Sequence, residues 1–180
     1  MTDKPETKDA TSDESAGDTE GFWDWSNRVY RLSGVADRLI NLQDANKFDV
    51  NLVLWCVWLG LHVGAVKPKA VRKAVAAAED WDAHVVKPLR AARKALKSAP
   101  GEAEGADALR KKVKDAELEA ERIEQSLLEG LAPSEADEPA SNAAARSNLL
   151  AYRDALGSSA PDEVFDPFLE SLSASADDHA

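Results

Sequence analysis

The sequence predicts an all-α fold: a helical bundle with a Trp-rich N-terminal half and a long antiparallel helical hairpin, carried between acidic disordered tails. Three observations lead there. Apolar side chains recur at helical rather than alternating spacing from Phe22 onward. The most apolar stretch, 52–66, is longer than a strand normally runs. Two later segments, 71–96 and 109–127, carry apolar residues at heptad spacing. The 180 residues are 44% hydrophobic, enough for one core, and the single Cys excludes a disulfide framework or a CxxC pair.

Residues 1–20 hold seven acidic and two basic side chains, with no aromatic, Ile, Leu or Val. Such a segment cannot bury enough apolar surface to offset its ordering entropy, so disorder is expected. Solvation accounts for a tail of this kind; an acidic arm meeting a basic partner is the alternative. Phe22, Trp25, Val29 and Leu32 then form a helical stripe that Ser33-Gly34 ends. Val35, Ala36, Leu39, Ile40 and Leu42 make a second short helix. The polar stretch 44–48 reads as a tight connection, and Asp49 as the N-cap of the next helix, its carboxylate accepting from backbone N–H groups. That helix, about 50–66, is apolar on nearly every side and must be enclosed by others. Its 15-residue apolar run falls short of the roughly 20 that span a bilayer, so no membrane span is expected. No basic-then-apolar leader is visible, which points to the cytoplasm.

Pro68 suits the first turn of the following helix. One seam of that helix runs Val71, Ala78, Val85, Ala92, and the other Val75, Asp82, Leu89, Leu96. Pro88 removes a backbone donor and predicts a kink or a split. After a loop at 98–106, Leu109, Ala116 and Ile123 alternate with Val113, Ala120 and Leu127, a helix of roughly 37 Å if continuous from 107 to 131. Residues 67–97 hold nine basic and three acidic side chains, and 102–129 nine acidic and five basic. Lys87, Arg90, Lys94 and Lys97 form a basic stripe, and Glu117, Glu121 and Glu124 an acidic one, which fits two antiparallel rods. The domain reading is a disordered tail at 1–20, a helical bundle at 21–131, a linker with short C-terminal helices at 132–172 and a second disordered tail at 173–180. The five tryptophans, Trp23, Trp25, Trp55, Trp58 and Trp81, would anchor the core or an aromatic groove.

Several short runs in close order carry a resemblance. They are Phe22-Trp23-Asp24-Trp25-Ser26, Gly34-Val35-Ala36, Leu42-Gln43-Asp44, Asp49-Val50-Asn51-Leu52, and Trp81 with Val85-Val86-Lys87-Pro88-Leu89-Arg90. Over about 22–130 the chain resembles a proteobacterial family of small cytoplasmic helical proteins, a conserved domain of unknown function. Leu-Gln-Asp-x4-Asp-Val-Asn-Leu is the most specific piece. That family has Gly near position 47, where this chain has Lys47. The resemblance implies one helical unit and supplies no catalytic residue.

No catalytic motif is recognisable: GxxxxGK[ST], GxGxxG and GxSxG are all missing. A catalytic set scattered in sequence stays open. Asp44, Asn46, Asp49 and Asn51 crowd the turn before the apolar helix. Capping explains them simply; a polar-ligand site with Trp55 is the sharper alternative, and an EF-hand fails because Gly is missing at its sixth position. His62 and His84 with Asp80 and Asp82 lack any metal-binding spacing, so no metal and no cofactor are implied. The basic stripe lacks a recognition motif and faces an acidic one, which argues against nucleic acid. The leading expectation is a non-enzymatic interaction or adaptor protein. It would meet a protein partner, or a second copy of the chain, through Lys87, Arg90, Lys94 and Lys97 or through Phe165 and Phe168 in a terminal amphipathic segment. The alternative is a small-molecule-binding protein or motif-poor enzyme, with its site at Asp44, Asp49, Asn51 and Trp55.

Overall fold

This computed structural model describes residues 20–97 and 104–177, in which every regular element is helical. In chain order the helices are α1 (Phe22–Tyr30), α2 (Val35–Asn46), α3 (Val50–His62), α4 (Pro68–Trp81), α5 (Lys87–Lys97), α6 (Ala106–Gly130), α7 (Asn142–Ala155) and α8 (Asp166–Asp177). A π-helical turn, Asp82–Val86, joins α4 to α5, and a 3-10 turn, Asp162–Phe165, leads into α8. The acidic segment 1–19, most of the expected 98–106 loop and residues 178–180 lie outside the described residues.

The bundle is organised around α3. Asp49 caps it as the sequence predicts, its Oδ1 accepting from the Leu52 N–H at 3.1 Å. Leu52 through Gly60 are all buried, so the helix has no solvent face, as its composition requires. α7 lies along it and contributes Ala144, Ala145, Leu149 and Tyr152 to the core. Gly60 permits this: a Cβ there would overlap the backbone of Ala145. The Gly60 carbonyl accepts from the Ser141 N–H at 2.9 Å, just before α7. Asn148 of α7 then seals the end of α3. Its amide donates to the Gly64 and Cys56 carbonyls at 3.1 and 3.3 Å and accepts from the Val66 N–H at 3.0 Å. The apolar run therefore stops being helical at His62 instead of reaching 66. Ala65 pairs with Glu138 in an isolated antiparallel bridge, which lays the 133–140 linker against the bundle.

The terminal segment is core and not an exposed docking motif. Phe165 and Phe168 are fully buried, with Phe165 packed 5.0 Å from Phe48 and Tyr152 packed 5.6 Å from Phe48, centroid to centroid. This corrects the expectation of an interaction surface there: an apolar face with a short linker finds the bundle before it finds a partner. α8 continues to Asp177, past the expected boundary at 172.

α5 packs against α6, so the hairpin forms. Arg90 donates to Glu117 at 3.2 Å and to Glu121 at 2.7 Å, and Arg93 donates to Glu117 at 2.5 Å. Its predicted seams hold before the π turn, at Val71, Val75 and Ala78, and at Ala120 of α6, and fail elsewhere. In the first rod the buried positions run Val71, Ala74, Val75, Ala78 and Val86. In α6 the inward residues are Glu117, Ala120, Glu124, Gln125 and Leu128, while Leu109, Ile123 and Leu127 stand exposed. The cause in the first rod is the π turn, whose extra residue rotates everything after it. It sits where Pro88 would otherwise clash with the preceding turn. In α6 the inward face is partly charged, and an apolar pattern cannot find it.

Three of the tryptophans, Trp25, Trp55 and Trp58, are buried as expected; Trp23 is exposed and Trp81 half-buried. Lys47, at the position where the resembling family has Gly, adopts a left-handed conformation with φ 62°, as the residue ending α2.

Candidate functional site

Six elements line a cleft of about 720 Å³, α2 contributing only Gln43. α1 supplies Trp23, Ser26, Asn27 and Tyr30; the start of α3 supplies Asp49, Val50, Asn51 and Leu54. The π turn adds Asp82 and Val86, α5 adds Arg90, and α6 closes the far wall from Asp115 to Gln125. Each wall has a local cause. Asp49 must face the start of α3 because it caps it. The π turn re-aims Asp82 and Arg90 relative to a straight helix, a common use of such turns.

The floor is a chain of polar side chains joining three helices. Asn51 donates to Glu124 Oε2 at 3.1 Å, and Gln125 donates to Asn51 at 2.9 Å. The Ser26 hydroxyl lies 2.7 Å from Gln125 Oε1 and 2.9 Å from the Trp23 carbonyl, and its one proton serves one acceptor at a time. Glu124 is 3% exposed, yet its Oε1 has no hydrogen-bond partner. An orphaned buried oxygen is costly and therefore informative.

Burial pushes the Glu124 carboxyl up to about 8, with the neighbouring charge of Asp49 adding to it and the Asn51 hydrogen bond opposing it. Burial also raises Asp49, against two backbone hydrogen bonds that lower it. Glu124 is therefore mostly protonated at neutral pH. Glu117 behaves oppositely: the Arg93 hydrogen bond holds it below the usual carboxylate range. Cys56, fully buried, has its thiol pushed far up by burial and faces no opening.

The sequence-predicted site residues divide clearly. Asp49 and Asn51 come together in the cleft. Asp44 is exposed on α2 outside it, and Trp55 is wholly buried in the core without lining it. Of the basic stripe, Arg90 is committed to Glu117 and Glu121, and Lys87 to Asp82 at 2.8 Å, while Lys94 and Lys97 are exposed. No group of three His, Cys, Asp or Glu among the described residues is arranged to hold a metal ion. No described helix is long and apolar enough to cross a membrane. Sequence reasoning gave no site role to Ser26, Arg93 or Gln125, and weighed Asp82 only as a break in the seam and in a metal constellation. It placed Glu124 only in an acidic stripe; a carboxylate one and two turns from paired ones gives no sign that it is the unpaired one.

Known proteins bear on the cleft in one way. No curated protein and no solved structure matches the chain. The sequence pattern of a family described as "Protein of unknown function (DUF2390)" matches residues 21–128, and so takes in every wall of the cleft while leaving out α7 and α8. With more than half its length matched, the chain belongs to the DUF2390 family.

Proposed function

We propose that the protein is a non-enzymatic binding protein that takes a small polar ligand in the cleft between α1, α3 and α6. One observation carries this reading: Glu124 lines the cleft with its Oε1 buried and unpartnered at the end of an otherwise satisfied chain of hydrogen bonds. A ligand with one well-placed polar group would complete that chain, which is how a concave site fixes orientation. The surrounding groups supply hydrogen-bonding and charged recognition, with no His or Cys among the lining residues. The test is a thermal-shift screen of the full chain against small polar metabolites, repeated on Leu118→Trp, which fills the cleft mouth from an exposed position. A stabilising compound whose shift disappears in Leu118→Trp is expected. A screen in which every shift survives that substitution would remove the reading.

A second reading keeps the interaction role. Leu109, Ile123 and Leu127 are 51%, 39% and 45% exposed on the outer side of α6 and retain part of the heptad spacing. A second copy of the chain could cover that row. Light scattering showing a monomer at high protein concentration would rule it out.

A further inference from the structure

Resting on the reading of the cleft as a ligand site, we propose that its ligand is an organic cation. An alkylammonium or alkylguanidinium head would sit against Glu124 and Asp49, with a short apolar body between Trp23, Tyr30 and Leu118.

Three features of the cleft converge on this chemistry. The first is a pair of acids without a counter-ion. Arg90 is committed to Glu117 and Glu121, Arg122 to Glu119 and Lys87 to Asp82, whereas Glu124 and Asp49 have no ion-pair partner among the described residues. The second is the orphaned acceptor: Glu124 lines the cleft, its Oε1 is buried without a partner, and a turn of the carboxyl toward an ammonium, which brings up to three donors, would satisfy it. The third is the mouth. Trp23, Tyr30 and Leu118 are 37%, 42% and 54% exposed, and all three line this cleft. Aromatic faces above a carboxylate floor attract a cation's charge and cover its hydrocarbon. A divalent metal fits less well, because no described cluster offers a ligand set for one.

Occupation would move a proton. The charged groups acting on Glu124 are Asp49 of α3, Asp82 of the π turn and Glu121 of its own helix, with Arg90 of α5 acting on Asp49. In the empty cleft these acids and burial keep Glu124 protonated at neutral pH. A cation beside it favours the carboxylate, so the proton leaves to solvent as the cation enters.

The experiment is isothermal titration of the full chain at pH 7 with hexylammonium, hexylguanidinium and hexanol, in phosphate and in HEPES. Saturable binding of either cation is expected, with a heat that depends on the buffer because a proton is released. Hexanol should bind at least tenfold more weakly. In Glu124→Gln the cation should bind at least tenfold more weakly and the buffer dependence should vanish. Leu118→Ser, at an exposed position, should weaken binding and retain the buffer dependence. A titration with Nα-acetyl-lysine amide separates the sources: binding comparable to hexylammonium points to a lysine side chain of a partner, and its failure beside hexylammonium binding points to a free amine. Equal binding of hexanol, binding unaffected by Glu124→Gln, or a response to calcium or magnesium alone would overturn the proposal. If an uncharged ligand from the metabolite screen binds in the cleft and no cation does, only the cation inference falls. If nothing binds in either experiment, the cleft reading falls with it.

Discussion

Burying Glu124 with one oxygen unpartnered destabilises the fold whenever that carboxyl is ionised. Its folded value, about 8, lies above its ordinary 4.5, so its contribution is fully present at low pH and is lost as pH rises through about 8. Thermal denaturation of the wild type should therefore show stability falling from about pH 4.5 to about pH 8 and levelling off above that. Glu124→Gln should flatten that slope and gain at least about 1 kcal/mol at pH 8. Lys47 is a second exposed cost. Lys47→Gly removes the left-handed strain at φ 62° and should stabilise by about 1 kcal/mol in urea denaturation, although it forfeits the 2.8 Å contact from Nζ to the Asp44 carbonyl. At this scale the sequence revealed Asp49 because capping is a local act between near neighbours. Glu124 stayed hidden because its role depends on Asn51, more than seventy residues away.

The helices themselves were legible where their signals were local: Gly34 and Pro68 at boundaries, helical stripes in α1 and α2, and a continuous apolar run in α3. Their mutual faces were not. A heptad read straight across 82–86 assumes an even rotation per residue, and the π turn breaks that assumption. Inserting one alanine after Ala83, an exposed residue of that turn, adds to an excess the turn has already absorbed once, and should rotate α5 by about 100° and swing Arg90 and Arg93 away from Glu117. The measurable outcome is a lower melting temperature and loss of protection from amide exchange in α5 ahead of the rest of the bundle. The α3–α7 contact offers a sharper test. Gly60→Ala places a methyl group into the backbone of Ala145, which cannot yield, and should cost about 3 kcal/mol by chemical denaturation. A loss under 1 kcal/mol would show that the helices do not approach as closely as described.

Taken as a whole, the bundle is larger than its apolar patterning marks out. The sequence places a domain boundary near 131, and the family match ends at 128. Yet Tyr152 of α7 accepts the Asp49 N–H at 2.8 Å, and Phe165 covers Phe48 at the same turn. The cleft's floor is thus propped by residues outside the matched region. A fragment of 21–131 should lack cooperative unfolding by circular dichroism, because the buried face of α3 loses α7. This long-range dependence could not be read from sequence, since weak C-terminal stripes look alike whether they dock at home or elsewhere. The central claim is that the cleft holds a protonated, unpartnered acid awaiting a cation, and the most direct measurement is the carbon-13 titration of the Glu124 side-chain carboxyl by NMR. The expected result is a midpoint of about 8 in the free protein that falls when hexylammonium is added. A midpoint near 4.5, unmoved by the cation, would contradict it.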